Sequence, residues 1–504
     1  MAFMYLFPLG VVLALVYRFV IRPAFLTPLS KVPAAHFTAH FSPAWLLYIR
    51  YFEKENRAIL EAHRAKGPIL RIAPNELSVN SLEGLKKIYS GNFPKTDFYP
   101  NIFQSFGLRT MFTSQDKQAH AAKRRALSHI YSKTSVLSSP TLRGSLRKVM
   151  TDHLIPKISS SDTSRTPLEM VSLNAGIAMD AFTNFQFGQE LGTNFIDDDK
   201  ERDWYIDNTQ SPRKWMFWVG RVPNFTRTLA RFGYKIIPDD ALDVFHDLEK
   251  WELDLCDRAE KYVTENPSPT DENKPVIFMQ QRAANLKAAA AAAPSDAHQP
   301  YPYRFETTAE MFDHTAASHE TSGITLTYLQ YELSLRPALQ ADLCREMQGV
   351  TDPKDLDSLP LLDAVVHETL RLWSPAPGAQ PRVVPSTITL EGYAVPAGTV
   401  VQSYAYTLHR NEDVFPNAEQ WNPSRWLDAS PKQLAEMRHW FWAFSSGGAM
   451  CLGQHVASTM IKAGVAALYT NFTSTLVGNP DMTQLDNFIG RVKADELYIQ
   501  WSKK

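Results

Sequence analysis

The sequence has little cysteine and no surplus of either charge. Its three cysteines, Cys256, Cys344 and Cys451, are too few for a disulfide framework and suit a reducing compartment. The net charge of −1 lacks the basic footprint that nucleic-acid binding requires, so we expect no nucleic-acid partner. No internal repeat is present. The 504 residues, 44% of them hydrophobic, suit a large globular protein.

Charged side chains are also missing from the first 17 residues, Met1–Tyr17. This apolar run is at the short end for a membrane-spanning helix, and Arg18, Arg22 and Lys31 follow it, which favours a cytosolic position for the rest of the chain. A cleaved signal is the alternative, but no basic n-region or small-residue cleavage site is evident. We therefore predict a transmembrane anchor at residues 1–21, a proline-rich hinge at 22–40 and one large domain at 41–504.

Helical periodicity dominates that domain, and strand patterns are short. The predicted helices are Ala58–Ala65, Gln118–Tyr131, Ala241–Val263, Phe305–Leu335, Pro337–Gln348, Leu361–Trp373 and Gly453–Tyr469. The predicted strands are Ile69–Ile72, Glu76–Val79, Thr387–Leu390 and Thr399–Tyr404. An Ala/Pro-rich stretch at 287–300 is predicted to be an exposed connector. The fold class is therefore mainly α with small β-sheets (α+β).

Cys451 lies in a glycine-rich loop, residues 444–453, just before a helix-forming run. Free N–H groups at the start of a helix favour a thiolate. A single thiolate cannot complete a zinc or iron–sulfur site, but it can be the axial ligand of a haem iron. The alternative is a small, buried hydrophobic cysteine.

Two further patterns carry chemistry. Glu320 and Thr321 lie in the middle of the long apolar helix, where an acid beside an alcohol can relay protons to bound oxygen; the alternative is a solvated turn of a surface helix. Glu368 and Arg371 lie three residues apart on one helical face, and Arg425 follows in a Pro-Ser-Arg element. The three can form a buried, hydrogen-bonded network, or the first two can be an exposed ion pair.

Together these elements resemble the cytochrome P450 family, in order and spacing, over essentially the whole chain. Phe444, Gly447, Cys451 and Gly453 match its haem-binding signature. The element around Glu320 and Thr321 resembles its oxygen-activation signature, with Ser318 in place of the usual Gly. Glu368, Arg371 and Arg425 resemble its Glu-x-x-Arg and Pro-x-Arg elements, which imply a structural lock behind the haem pocket.

The main departure from the family is Ala449, where other members usually place an Arg or His against a haem propionate. The resemblance assigns propionate-binding roles to His120, Arg124 and Arg382. Because Ala449 cannot contribute a cation, we expect Arg124 and Arg382 to carry more of this role.

The resemblance implies the P450 fold with haem b held by Cys451. It also implies O2 activation with electrons from an NADPH–cytochrome reductase, with cytochrome b5 as a second donor. The anchor is similar to that of microsomal members, implying a single pass through the endoplasmic reticulum membrane and a cytosolic domain. Similarity to filamentous-fungal members points to hydroxylation or other oxidation of a small apolar secondary metabolite.

Two kinds of alternative to a monooxygenase remain. The same fold can desaturate, close rings or couple phenols, and a haem-thiolate protein can bind without turnover. The pocket is predicted to be largely apolar. Its walls are expected in the loop Asp97–Phe112 (Phe98, Phe103, Phe106 and Leu108), in Asp313–Ala317 and in Ala376–Ala379.

Overall fold

The computed structural model describes residues 2–241, 243–291 and 303–504. Its α-helices are α1 (Ala2–Val16), α2 (Arg22–Phe25), α3 (Ala44–Tyr51), α4 (Glu55–Lys66), α5 (Leu82–Leu85), α6 (Phe98–Phe103), α7 (Lys117–Leu127), α8 (Lys133–Ser138), α9 (Pro140–Arg147), α10 (Ile155–Ser164), α11 (Met170–Phe187), α12 (Asp199–Gln210), α13 (Arg213–Gly220), α14 (Pro223–Arg231), α15 (Asp243–Glu265), α16 (Val276–Ala291), α17 (Arg304–Ser334), α18 (Pro337–Met347), α19 (Pro360–Leu372), α20 (Ala405–Leu408), α21 (Ser424–Asp428), α22 (Pro431–Trp440) and α23 (Gln454–Asn471). Its strands are β1 (Ile69–Ala73), β2 (Glu76–Val79), β3 (Leu168–Glu169), β4 (Arg382–Val383), β5 (Ile388–Leu390), β6 (Tyr393–Val395), β7 (Val400–Gln402), β8 (Phe472–Val477) and β9 (Tyr498–Lys503).

The mainly α fold with small sheets is confirmed, and each predicted helix and strand has a counterpart in this list. The long central helix, predicted at Phe305–Leu335, is α17 at Arg304–Ser334. The sequence analysis did not identify α11 or the β8–β9 pair. In α11 almost every residue is buried, so the helix lacks the polar face by which an amphipathic helix is recognised.

Helix α17 packs along α11 at the centre of the largest hydrophobic core, which also includes residues from α18, α19 and α23. Gly323 makes this close approach possible. A Cβ atom there would lie 3.0 Å from the Cα atom of Ala175. Next to it, the buried Asn174 side chain donates hydrogen bonds to Gln330 (2.9 Å) and Thr327 (3.2 Å). These contacts with α11 therefore fix the position of the central helix α17.

Three small sheets surround this helical core. The first has the order β1-β2-β7-β4, with β2 and β7 parallel and the other pairs antiparallel. In its register Leu77 pairs with Val401, which pairs on its other side with Arg382. The second sheet, β3-β9-β8, is antiparallel, and β5 and β6 form a two-stranded antiparallel pair. The first sheet thereby places Arg382 beside the elements that precede α7.

The segment predicted to be a hinge, residues 22–40, is packed onto the first sheet. Leu29 and Val32 are buried in a core cluster with β1 and β2 residues. Arg71 of β1 exchanges backbone hydrogen bonds with Pro33 and Ala35. Its buried guanidinium donates to the Pro23 carbonyl oxygen at 3.0 Å. These contacts make the segment part of the domain.

Two other predicted segments have different outcomes. Residues 287–291 of the predicted connector form the last turn of α16, and residues 292–300 lie outside the described residues. At the N-terminus, the window Pro8–Phe25 is long and apolar enough to span a membrane and is almost unburied.

Candidate active site

The loop before α23 presents Cys451 at the start of that helix. Its backbone N–H donates a hydrogen bond to the Phe444 carbonyl oxygen at 2.9 Å, which closes the loop. The side chain of Cys451 is exposed, whereas Cys256 is buried and Cys344 is partly exposed. The surrounding protein raises the pKa of the Cys451 thiol, while backbone N–H groups of Gly453 and Gln454 and the charge of Arg124 lower it. On balance the pKa is raised, so the helix start alone does not produce the predicted thiolate.

Two glycines of the loop have different surroundings. Gly447 has φ +72°, and a Cβ atom there would collide with the backbone of Tyr89 and Ser90. A side chain at this position would therefore displace the loop. An added Cβ at Gly453 would meet no atom of the described residues within 4 Å, so packing within them does not explain this glycine. Gly453 lies two residues after the exposed Cys451, and the space beside it is open.

The structure brings Glu368, Arg371 and Arg425 together. The Glu368 carboxylate accepts hydrogen bonds from Arg371 at 2.8 and 2.9 Å and from Arg425 at 3.0 Å. The side chains of Glu368 and Arg371 are fully buried. Trp426 Nε1 and the Asn422 backbone N–H also donate to the carboxylate, at 3.0 and 2.9 Å. The exposed ion-pair alternative is excluded by this burial.

His409 joins this network to the cysteine loop. Arg371 Nη1 donates to the His409 carbonyl oxygen, and the His409 Nδ1 atom lies 2.8 Å from the Arg371 carbonyl oxygen. The Nε2 atom accepts a hydrogen bond from the Trp442 backbone N–H at 2.7 Å. Burial and the charge of Arg371 lower the pKa of His409 to about 3, so the ring is neutral and Nε2 can accept. The sequence analysis missed His409 because no spacing pattern links it to residue 442.

On another side of Cys451, three cations and a histidine form a cluster. Arg124 of α7 donates to the Met450 carbonyl oxygen at 2.7 Å. Arg382 of β4 donates to the Tyr99 hydroxyl at 2.6 Å. Lys95, which the sequence analysis did not identify, pairs along the backbone with Arg382 and donates to the Phe112 carbonyl oxygen at 2.6 Å.

The electrostatics of the cluster show a deficit of negative charge. Burial and the charges of Arg382 and Arg124 lower the pKa of Lys95 to about 7, although the carboxyl groups of Asp313 and Glu310 act in the opposite direction. Burial and the charges of Lys95, Arg124 and Arg382 lower the pKa of His120 to about 4. Among the described residues, none of the four forms an ion pair with a carboxylate. Such a cluster suits a ligand that brings anionic groups.

These features match what haem requires: one exposed axial thiol, open space beside Gly453 and cations for two propionates. Within the part of the chain that the structure describes, no group of three or more His, Cys, Asp or Glu residues could hold a metal ion by itself. Cys451 would hold the haem iron through its sulfur, and Arg124, Arg382 and Lys95 would supply the cations for the propionates. His120 is neutral and would contribute a hydrogen bond rather than a charge.

Thr321 and Glu320 have different surroundings on α17. The Thr321 hydroxyl donates to the Ala317 carbonyl oxygen at 2.9 Å, one turn earlier, and Ala317 is exposed. Glu320 is paired with Arg213 of α13 and with Arg491, the latter at 2.9 Å. Burial raises the pKa of Glu320, but Arg213, Arg491 and His319 outweigh it and lower the pKa to about 2. The carboxylate is therefore ionised and held, and the surface-turn alternative is excluded for it.

An aromatic cluster joins two of the predicted pocket walls. Phe98 and Phe103 each lie against Phe488, with ring centroids 5.4 and 5.7 Å apart, and Phe103 also contacts Phe112. Gly378, from the predicted wall Ala376–Ala379, fits tightly against the Phe488 backbone. The sequence analysis missed Phe488. Phe106, in contrast, packs against Phe305 with the two rings tilted by 44° and is not part of this cluster.

The comparisons with known proteins agree with this geometry. A family model described as Cytochrome P450 matches residues 46–497. The chain is 27% identical to cytochrome P450 monooxygenase orf2 of Aspergillus niger, over 90% of this chain and 88% of that protein. It is 25% identical to cytochrome P450 monooxygenase FGM1 of Gibberella zeae (84% and 83% covered) and 26% identical to cytochrome P450 monooxygenase hepC of Aspergillus oryzae (93% and 92%). Because the family model spans most of the chain and includes the Cys451 loop, the central helix and the buried lock, this chain belongs to the cytochrome P450 family and is a monooxygenase of the oxidoreductase class.

Proposed function

We propose that this chain uses O2 and NADPH-derived electrons to oxidise a small, mainly apolar molecule of fungal secondary metabolism. The observation that carries the proposal is the exposed Cys451 thiol beside a cation cluster whose members form no ion pair with a carboxylate in the described part of the chain. When bound, haem supplies the redox chemistry of oxygen activation, and the protein supplies position and electrostatics.

The side chains around the site have three roles: orientation of the cofactor, positioning of the cysteine loop and proton delivery. Arg124, Arg382 and Lys95 orient the cofactor through its propionates. The lock of Glu368, Arg371 and Arg425 holds the segment before Cys451 in place through His409 and Trp442. Thr321 holds a proton at its hydroxyl, one turn of α17 after the exposed Ala317. Glu320 is the acid next to it, and it takes part in proton delivery only when its pairing with Arg213 and Arg491 loosens.

We further propose that residues 1–21 anchor the protein in the endoplasmic reticulum membrane by a single pass, with the domain in the cytosol. The uncharged start of the chain, the unburied window Pro8–Phe25 and the cations that follow it support this placement. Exposed aromatic residues extend the apolar surface next to it: Phe25 is 73% and Phe37 69% exposed. An NADPH–cytochrome reductase, with cytochrome b5 as a second donor, supplies the electrons at that membrane.

The decisive experiment is the absorption spectrum of the reduced, CO-bound protein in microsomes. We expect the red-shifted band of thiolate-ligated haem, and we expect Cys451→Ser to abolish it. Absence of the band from the wild-type protein would refute the haem-thiolate function. A normal band without substrate-dependent NADPH use, across a panel of metabolites, would favour a protein that binds haem without turnover.

A second experiment tests the role of Thr321 without knowledge of the substrate. With reductase and NADPH, Thr321→Ala should release more hydrogen peroxide per NADPH consumed than the wild type. Thr325→Ala is the matched control, because Thr325 also donates to the carbonyl oxygen four residues earlier, at 2.8 Å, but is buried. Equal peroxide release from both variants would remove Thr321 from proton delivery.

A further inference from the structure

One carboxyl group on α17 has no assigned role. Asp313 lies one turn before Ala317 and two turns before Thr321, so the three side chains share one face of the helix. Asp313 is only partly buried as a residue, yet its Oδ2 atom is buried and has no hydrogen-bond partner among the described residues. Native proteins rarely leave such an atom unpaired without a ligand or water to satisfy it.

Three neighbours of Asp313 have other partners, and one of them, Thr110, also bonds the Asp313 carboxyl group. Glu310 accepts hydrogen bonds from the Met111 backbone N–H at 3.0 and 3.1 Å and pairs with Lys123 at 2.5 Å. Lys95 donates to the carbonyl oxygens of residues 111 and 112. The Thr110 hydroxyl, which lies beside the carboxyl group, is also within 2.9 Å of the Thr113 hydroxyl. These contacts hold loop 110–113 over the helix and leave the second carboxyl oxygen unsatisfied.

The charges around the carboxyl group favour its neutral form. Burial and the nearby Glu310 raise the pKa of Asp313 to about 8, although Thr110, Lys95 and Lys123 lower it. A neutral carboxyl group both donates and accepts a hydrogen bond. Its best partner is an uncharged group with the same double capacity, such as a hydroxyl or a secondary amide. A cationic group would meet the charges of Lys95 and Lys123 at close range.

We infer that Asp313 is a specificity-determining residue, whose free carboxyl oxygen binds an uncharged hydrogen-bonding group, a hydroxyl or secondary amide, of an otherwise apolar substrate. This inference rests on the proposed function, since it places the substrate along the Asp313–Ala317–Thr321 face. It adds a single polar anchor to the pocket that is predicted to be largely apolar. The aromatic cluster around Phe488 is an apolar part of the same region, because Phe112 belongs to loop 110–113, whose Thr110 lies beside Asp313.

The test uses the full-length haem-containing protein and three probes of one skeleton: 6-phenylhexan-1-ol, n-hexylbenzene and 6-phenylhexyltrimethylammonium. Equilibrium dialysis gives Kd for each probe in the wild type, Asp313→Asn, Asp313→Leu and the control Glu306→Gln. Glu306 is an exposed acid in the first turn of the same helix. The Kd ratio of hydrocarbon to alcohol is compared between proteins, so that differences in hydrophobicity cancel.

We expect Asp313→Leu to lower this ratio about tenfold, Asp313→Asn to lower it less, and Glu306→Gln to leave it unchanged. An unchanged ratio in Asp313→Leu, or no measurable alcohol binding by the wild type, overturns the inference. Tighter, Asp313-dependent binding of the cationic probe overturns the assigned substrate class. The CO-bound spectrum of each protein is recorded in parallel. A normal thiolate band with an unchanged ratio refutes the Asp313 inference alone, whereas a missing wild-type band refutes the proposed function.

Discussion

The Nη1 atom of Arg124 lies 2.7 Å from the carbonyl oxygen of Met450, and this hydrogen bond joins α7 to the residue before Cys451. Arg124, which the family resemblance assigns to a propionate, thus also stabilises the cysteine loop. If Cys451 and Arg124 hold haem as proposed, this one side chain would couple the position of the iron ligand to that of a propionate.

The first prediction follows from this double role. Arg124→Met should increase the rate of haem transfer to apomyoglobin about tenfold, because a charge-assisted hydrogen bond and a propionate partner are both lost. Arg125→Met, which removes an exposed cation from the next position, should have little effect. Equal rates for the two variants would show that the Arg124 contact does not hold the cofactor.

Lys95 is predicted to supply the cation that Ala449 cannot. Lys95→Met should increase the haem-loss rate about tenfold, and Ala449→Arg should largely restore it in that background. In the wild type, Ala449→Arg should have a smaller effect, because Lys95 already fills the role. Lys86→Met, at an exposed position, is the control. Additive effects of the two substitutions would mean that the cations serve separate groups.

The buried lock and an exposed ion pair of the same spacing allow a matched comparison. Glu368→Ala should lower the free energy of unfolding by about 3–5 kcal/mol, because it leaves the buried Arg371 charge uncompensated. Glu61→Ala removes the i,i+3 ion pair between Glu61 and Arg64, whose side chains are 68% and 40% exposed respectively. This substitution should lower the free energy of unfolding by less than about 1 kcal/mol. Urea unfolding measures both. Similar losses would contradict the assignment of Glu368 as a buried lock residue.

Glu320 should make a pH-dependent contribution to stability. Its pKa falls from 4.5 to about 2 on folding, so the contribution is complete at pH 7 and declines as pH falls from about 4.5 toward 2. Glu320→Gln should cost about 2 kcal/mol at pH 7 and less at pH 3. Urea unfolding at the two pH values, with Glu306→Gln as the control, checks this. A cost that does not change with pH would show that the pairing is not electrostatic.

The sequence predicted local features better than distant partners. The seven predicted helices and the Cys451 loop follow from spacing along the chain, as does the face shared by Glu368 and Arg371. Lys95, His409 and Phe488 lie in no recognisable pattern, because each acquires its partner only when separate elements of the fold meet. Lys95 reaches Arg382 through a backbone bridge between residues far apart in sequence.

Glu320 illustrates the same limit at a predicted site. Its place in the oxygen-activation element was readable from the sequence, whereas its partners Arg213 and Arg491 come from α13 and from the chain after β8. The ionisation state of a carboxyl group depends on such partners and on burial, and neither is encoded in the motif. The neutral state favoured for Asp313, on the same helix, has the same origin.

The contacts of Arg71 determine how far the N-terminus can be truncated without loss of packing. Its fully buried guanidinium bonds the carbonyl oxygens of Pro23 and Pro74, and its backbone pairs with residues 33 and 35. A shortened protein that begins at Arg22 loses the proposed anchor and keeps every one of these contacts. One that begins at residue 41, where the sequence places the start of the domain, leaves that edge of β1 unpaired. It also removes one of the two carbonyl acceptors of the buried Arg71 guanidinium and keeps only that of Pro74. These contacts extend the packed domain back to Pro23, before the predicted start at residue 41, and the proposed anchor directly precedes it.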